Sequence, residues 1–235
     1  MRTAPRSYLR HPLNVILQSE SAVRVLRELV LHGGTLAPST LALRTRITRA
    51  MVHRTLGKLL ETGIVGVVGQ GRNLAYQLSL THPFTPALMG LFDAELKRVE
   101  ALWAAVTTAA AAGSEPARAV WLFGSVARNE DGVRSDCDIA LVYADDEVVE
   151  SAVSSARLAL QPIEAEARVA LSVIGLSYAD VRRLGGSGDP LWQSLKRDGL
   201  ALGGPSPDSL LTTLRVTEKF GAPTKHNDEV SDTPL

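Results

Sequence analysis

The 235-residue sequence has few of the features that mark secreted, membrane-spanning or zinc-binding proteins. Its single cysteine, Cys137, excludes an internal disulfide and is typical of proteins from a reducing compartment. No apolar run approaches the ~20 residues that a membrane helix requires, and the N-terminus lacks the apolar core of a signal peptide. The spacing of His, Cys and carboxylate residues matches no zinc site. We therefore expect a cytoplasmic protein without a membrane partner.

Acidic residues are scarce in the first third of the chain. Residues 1–80 contain eleven Arg and Lys but only three Glu, which gives this segment a net charge of +8. Residues 81–235 contain 14 basic and 22 acidic residues, a net charge of −8, so the whole chain is neutral. The apolar fraction of 45% is typical of a globular protein. This asymmetry indicates two modules with different partners, and it predicts an anionic partner for the first module.

The basic third has the pattern of three helices followed by a hairpin. Apolar residues recur at helical spacing in SESAVRVLRELVLHGG, in a segment starting near Pro38, and in RAMVHRTLGKLLETG. IVGVV and NLAYQLS then alternate like two strands, separated by the turn Gly69–Arg72. The core residues predicted for the second and third helices are Leu41, Leu43, Val52, Leu56 and Leu59.

This order of elements, over residues 13–80, resembles a winged helix-turn-helix domain. The resemblance implies binding of double-stranded DNA, with the third helix in the major groove and the hairpin on the backbone. Arg and Lys side chains pair with guanine edges or phosphates, and phosphate contacts weaken as salt rises. A merely solvated helix face and a winged helix that contacts proteins remain alternatives. The expected DNA-binding residues are Arg49, His53, Arg54, Lys58 and, at the tip of the hairpin, Arg72.

The prolines of THPFTP, residues 81–86, predict a domain boundary. A long connecting helix is expected at 87–112, and its apolar stripe suits either a dimer contact or packing on the protein's own sheet. Strands and helices then alternate, which indicates a small mixed sheet in a domain ending at Gly204. The tail, 205–235, is polar, and its last ~15 residues are expected to be poorly ordered. The predicted fold class is α+β, a winged helix-turn-helix followed by a small α/β domain at 87–204.

The stretch GSVARNEDGVRSDCDIALVY combines residues suited to holding a phosphate and a metal. Side chains alternate along a strand, so Asp136 and Asp138 project the same way, and they repel each other unless a cation lies between them. Mg²⁺ prefers oxygen ligands and usually keeps substrate phosphates in its shell. Gly124–Ser125 begins a helix, where free N–H groups suit a phosphate, and Arg128 adds positive charge. Phosphoryl or nucleotidyl transfer requires such a combination. A helix cap at Ser125 and surface aspartates in a turn are the alternative interpretation of the same sequence pattern.

GSVAR…SDCDIALV resembles the signature of minimal nucleotidyltransferases of the polymerase-β-like superfamily. The later DPLWQSLKRDGLALGG resembles the end of these domains, so the resemblance spans residues 118–204. It implies Mg²⁺ and ATP or another nucleoside triphosphate as cofactors. The expected site residues are Asp136 and Asp138 for metal binding and catalysis, and Gly124, Ser125, Arg128 and Ser135 for the nucleotide.

The chain departs from this family at the third carboxylate, which active members carry on a following strand. The matching segment, ARVALSVIGL, contains no acid, and Ala170 or Ser172 occupies the expected place. Glu164 and Glu166 precede the strand. Loss of a general base costs ~10²–10⁴ in rate, so the pattern favours nucleotide binding over catalysis and leaves enzyme activity open.

Chains with this pair of modules resemble a group of bacterial proteins described as transcriptional regulators. The favoured hypothesis is a DNA-binding regulator whose second module binds Mg-nucleotide. Winged-helix regulators commonly pair to read two half-sites, so a homodimer is a candidate assembly. A second hypothesis is an active Mg²⁺-dependent nucleotidyltransferase with a protein or RNA acceptor. A third is a scaffold that uses both folds for protein contacts.

Overall fold

The computed structural model describes residues 7–10, 19–112 and 115–220, without the side chains of Arg72, Lys219 and Phe220. The helices are α1 (Glu20–His32), α2 (Pro38–Thr45), α3 (Arg49–Glu61), α4 (Thr85–Ala111), α5 (Gly124–Arg128), α6 (Val149–Ala167), α7 (Tyr178–Ser187), α8 (Pro190–Asp198) and α9 (Pro207–Phe220). The strands are β1 (Val65–Val68), β2 (Ala75–Leu78), β3 (Ala119–Phe123), β4 (Cys137–Tyr143), β5 (Leu171–Ser177) and β6 (Leu200–Gly203). Among the described residues, no helix is both long enough and apolar enough to span a membrane.

Residues 19–78, here called the helix–hairpin region, contain α1, α2, α3 and the antiparallel pair β1–β2. These elements share one apolar core, in which Leu41 of α2 is fully buried. The prediction that Leu43 also belongs to this core is wrong, because its side chain is 79% exposed. A step of two residues along a helix is a rotation of about 200° around its axis. Leu43 therefore faces away from the core that Leu41 enters.

Helix α4 contributes to two cores. In its N-terminal half, Phe92 packs against Val23 of α1. Glu95 accepts hydrogen bonds from Nε and an Nη of Arg27, at 2.6 and 3.0 Å, and both side chains are buried. In its C-terminal half, the apolar residues from Leu102 onwards pack on the sheet of the second half of the chain. One helix therefore joins the helix–hairpin region to the rest of the protein.

The second half of the chain is built on a four-stranded sheet with the order β5-β4-β3-β6. Strand β4 is parallel to β5 and antiparallel to β3, and β6 is antiparallel to β3. Helices α4 and α6 cover one face of the sheet, and α7, α8 and α9 cover the other. The predicted combination of helices with a small mixed sheet is confirmed.

Helix α9 extends this sheet region to residue 220, beyond the predicted end at Gly204. Leu210, Leu211 and Leu214 are buried against the core formed with α7 and α8, because the short apolar stretch of the tail has helical spacing. The predicted disorder of the last ~15 residues falls on 221–235, outside the described residues.

Candidate functional site

The fold brings Gly124 into contact with Asp138. Antiparallel pairing of β3 with β4 places Phe123 opposite Asp138, so the residue after β3 meets the beginning of β4. Gly124 has φ +72°, and a β-carbon at this position would overlap Oδ2 of Asp138. Both the left-handed backbone and the close approach require glycine. The Gly-Ser and Asp-x-Asp parts of the motif, separate in the sequence, are thus neighbours in the fold.

The two aspartates lie at the beginning of β4, where the side chains alternate between core and site. Cys137 is fully buried in the core between the sheet, α4 and α6. Asp136 is exposed and Asp138 is partly buried, on the opposite side of the strand. Burial, together with the nearby Asp138 charge, raises the pKa of the Cys137 thiol to about 12, so the thiol stays protonated and is no nucleophile at neutral pH.

The environment of Asp138 disfavours its charged form. Burial raises the pKa of the Asp138 carboxyl above its usual range, and the charge of Asp136 raises it further. A hydrogen bond from Ser172 and the positive charge of Arg128 lower it, but do not outweigh the first two causes. A cation held between the two carboxylates would relieve this strain.

Asp138→Asn is expected to stabilise the metal-free protein at neutral pH. Because the folded-state pKa of Asp138 is raised, the folded protein binds this proton more tightly than the unfolded chain does. The wild type therefore loses stability as pH rises through that pKa, whereas asparagine does not titrate. Melting temperatures measured with a chelator should be higher for the variant at pH 7. The difference should vanish below about pH 3.8, the ordinary aspartate value; a variant that melts lower at pH 7 would contradict this account.

The position expected for a third acid is occupied by Ser172. The parallel register of β4 and β5 sets Ser172 opposite Asp138, and its hydroxyl donates to the Asp138 carboxylate. Ala170 lies just before β5 and its carbonyl accepts from Cys137 N at 2.9 Å. Glu164 instead accepts from Leu171 N at 2.7 Å, which ties it to the start of β5. A serine hydroxyl is a far weaker base than a carboxylate, so this site lacks the expected general base on β5.

Arg128 and Ser135, both expected at the nucleotide, make contacts within the protein. The guanidinium of Arg128 pairs with Glu130 and with Asp198, each at 2.8 Å. The Ser135 hydroxyl accepts from Gly132 N at 2.9 Å and closes the turn before Asp136. Asp198, at the end of α8, was not predicted in this region, since it lies 70 residues from Arg128 in the sequence. These contacts fix the segment that joins the two parts of the motif.

The site offers a metal two carboxylates, those of Asp136 and Asp138. Within the described residues, no group of three or more His, Cys, Asp or Glu is placed to hold an ion. Mg²⁺ is commonly bound through one or two carboxylates, with substrate phosphates and water completing its shell. Asp136 and Asp138 offer such a pair of carboxylates and fit that requirement.

The exposed face of α3 is basic and has small residues at its centre. Ala50 is exposed, and open space surrounds the position where Gly57 would carry a β-carbon. None of the four basic side chains of this face forms an ion pair with another described residue. They are Arg49, His53, Arg54 and Lys58, all exposed. Arg72 has its backbone in a 3₁₀ turn of the hairpin, and its side chain lies outside the described part of the structure.

A match to one protein family supports the nucleotidyltransferase-like character of this part of the chain. Residues 82–184 match the family "Putative nucleotidyltransferase DUF294", a segment that contains Gly124, Asp136, Asp138 and Ser172. A solved structure, "Crystal structure of the toxin-antitoxin with AMP-PNP", is similar at 16% identity and a TM-score of 0.30, over 52% of this chain and 86% of that chain. No curated protein matches the chain.

Proposed function

We propose that this protein is a DNA-binding transcriptional regulator whose second module binds Mg-nucleotide. The observation that carries the nucleotide half is the contact of Gly124 with Asp138, which places a side-chain-free backbone beside a pair of carboxylates. The family match over residues 82–184 supports the same assignment. Gly124–Ser125 would face the phosphates, and Asp136 with Asp138 would hold the metal.

In this proposal the protein supplies shape and ligands, and Mg²⁺ supplies positive charge that neutralises the phosphates. The backbone N–H groups at Gly124 and Ser125 would donate to phosphate oxygens, and the hydroxyl of Ser125 offers a further donor. Binding is favoured over transfer because Ser172 stands where a carboxylate would be required to accept a proton. The pocket then serves as a sensor of nucleotide.

The DNA half rests on the helix–hairpin region. Ala50 and Gly57 leave the centre of the α3 face without long side chains, so that this face can approach a groove closely. Exposed cations flank that centre, and the first 80 residues carry a net charge of +8. A hairpin follows the helix at the place where a backbone-contacting wing is expected. Two copies on neighbouring half-sites would give this small surface useful affinity.

Replacing Arg49 and Arg54 together by alanine is expected to abolish duplex binding in a gel-shift assay at moderate salt. Each lost contact to a base edge is worth about 1–3 kcal/mol, so the pair should cost at least about 30-fold in affinity. The wild type should also lose affinity steeply as salt rises, and the variant should show a smaller salt slope.

Arg183→Ala is the matched control for this experiment. Arg183 is an exposed arginine of α7 that pairs with Asp180 within its own helix, and it lies in the sheet region. Its removal changes the net charge in the same direction but leaves the α3 face intact. Unchanged duplex affinity in the Arg49→Ala/Arg54→Ala protein would count against the DNA-binding proposal.

An active nucleotidyltransferase that modifies a protein or RNA is the second candidate. It is favoured by the same contact between Gly124 and Asp138, because metal and phosphate binding are also the first requirements of transfer. Incubation with labelled nucleotide and cell extract distinguishes the two. Label transferred to a macromolecule by the wild type, but not by a protein lacking both aspartates, would establish transfer.

A further inference from the structure

Residues 7–10, here called the strap, pack on the sheet region although they precede the helix–hairpin region in the sequence. Ser7 and Leu9 are buried, at 1% and 3% exposure. Leu9 lies in the same apolar core as Val126 of α5, Leu102 of α4 and Ile139 of β4. The strap is therefore an integral part of the sheet region.

The strap holds the segment that joins the two halves of the candidate site. Tyr8 N donates to the carbonyl of Asp131 at 3.3 Å, and Leu9 N donates to Asp131 Oδ2 at 2.9 Å. The guanidinium of Arg10 donates to the carbonyl of Val126 in α5, the helix that begins at Gly124. Asp131 is buried, with 2% exposure, so these bonds are shielded from water. The stretch between Gly124 and Asp136 is thus fastened at two points by residues from the far end of the sequence.

The same strap is fastened to α4. Arg98 donates to the carbonyl of Leu9 at 2.6 Å and to the carbonyl of Ala167, at the end of α6, also at 2.6 Å. The Arg10 guanidinium lies 6.0 Å from the centroid of the Trp103 ring, one to two turns further along α4. Arg98 is three residues from Glu95, which binds Arg27 of the helix–hairpin region. Contacts therefore run without a break from the candidate site, through the strap and α4, to α1.

We propose that the strap couples nucleotide binding to DNA binding. This inference rests on the proposed function and adds its regulation. In the sequence the strap precedes the helix–hairpin region and α4 follows it, and both pack on the sheet region. A nucleotide that restrains residues 124–136 also restrains the strap bound to them, and the helix–hairpin region, which the strap precedes, then loses less freedom when it binds DNA. The linkage is positive, and it is reciprocal because binding free energies form a closed cycle.

The test measures the affinity of the full chain for a fluorescently labelled mixed-sequence duplex with and without saturating Mg-ATP. The wild type is expected to bind at least about five-fold more tightly with Mg-ATP, and duplex should tighten Mg-ATP binding by the same factor. Arg98→Gln should bring that factor close to one while each ligand alone still binds. Lys97→Gln is the matched control, since Lys97 is an exposed neighbour that pairs with Asp93 one turn away on α4.

A second measurement requires no variant. Hydrogen exchange of the wild type should show slower exchange at Tyr8 and Leu9, whose amides bind Asp131, when Mg-ATP is added. If both ligands bind but the factor is one and these amides are unaffected, the coupling is overturned and the proposed function stands. A wild-type factor kept by Arg98→Gln also overturns the role of the strap. If the wild type binds neither ligand, or only one, the proposed function fails and this inference with it.

Discussion

Mg-ATP binding, measured by isothermal titration, is expected to disappear when Asp136 and Asp138 are both replaced by alanine. The double variant loses both carboxylates available to the metal, and the triphosphate then lacks the Mg²⁺ that would neutralise it beside Gly124. Loss of an outer-shell partner alone typically costs 10–100-fold in metal affinity, so loss of the ligands should cost at least about 100-fold. The apo variant should fold, because Asp136 is exposed and Asp138 only partly buried.

Asp145→Ala/Asp146→Ala provides the control. These aspartates are exposed just beyond the other end of β4, and their replacement removes the same charge from the same sheet region. They should leave Mg-ATP affinity unchanged. A similar loss in both double variants would mean that net charge, and not the site, governs binding. Wild-type protein that gives no heat with any nucleoside triphosphate would refute the nucleotide proposal directly.

Glu95→Ala is expected to cause the largest loss of stability. It leaves the buried guanidinium of Arg27 without its carboxylate, and breaking a buried ion pair in this way costs about 3–5 kcal/mol. For a chain of this size, that cost corresponds to a fall in melting temperature of roughly 6–20 °C. Denaturant titration followed by circular dichroism measures the free energy of unfolding.

The same helix contains a matched control. Asp93 forms an exposed pair with Lys97 at i,i+4, and Asp93→Ala should cost no more than about 0.5 kcal/mol. Arg27→Met/Glu95→Leu should destabilise less than Glu95→Ala, because no charge is left buried and apolar packing replaces the pair. If Glu95→Ala were as mild as Asp93→Ala, the pair would not hold α1 against α4.

Local patterns in the sequence were sufficient to predict much of the secondary structure of the sheet region. The run from Ile139 to Val142 predicts a buried strand because it is apolar throughout, and the residues before it predict a site because strand geometry puts Asp136 and Asp138 on one side. Side-chain spacing was less decisive in short helices. Leu43 is apolar like Leu41, but with only eight residues in α2 the pattern did not define which side faces the core.

Features that depend on distant contacts were not predictable from one sequence. Glu95 has the pattern of an ordinary surface acid, and only the position of Arg27, 68 residues away, makes it a buried partner. Ser172 lies opposite Asp138 because of the parallel register of β4 and β5, which the sequence alone does not define. The strap carried no motif at all, and its docking depends on the carboxylate of Asp131, 122 residues downstream.

The 27 residues of α4, about 40 Å of continuous helix, have a consequence for how such a protein can be divided. Cleavage in the loop 79–84 would separate Val23 from Phe92 and Arg27 from Glu95. Each of the two fragments would then expose to water the surface that it buries in the intact protein. Gene fusions or fragments that separate the two regions there should yield aggregating products. An exchange of modules between related chains would have to transfer the first half of α4 together with α1.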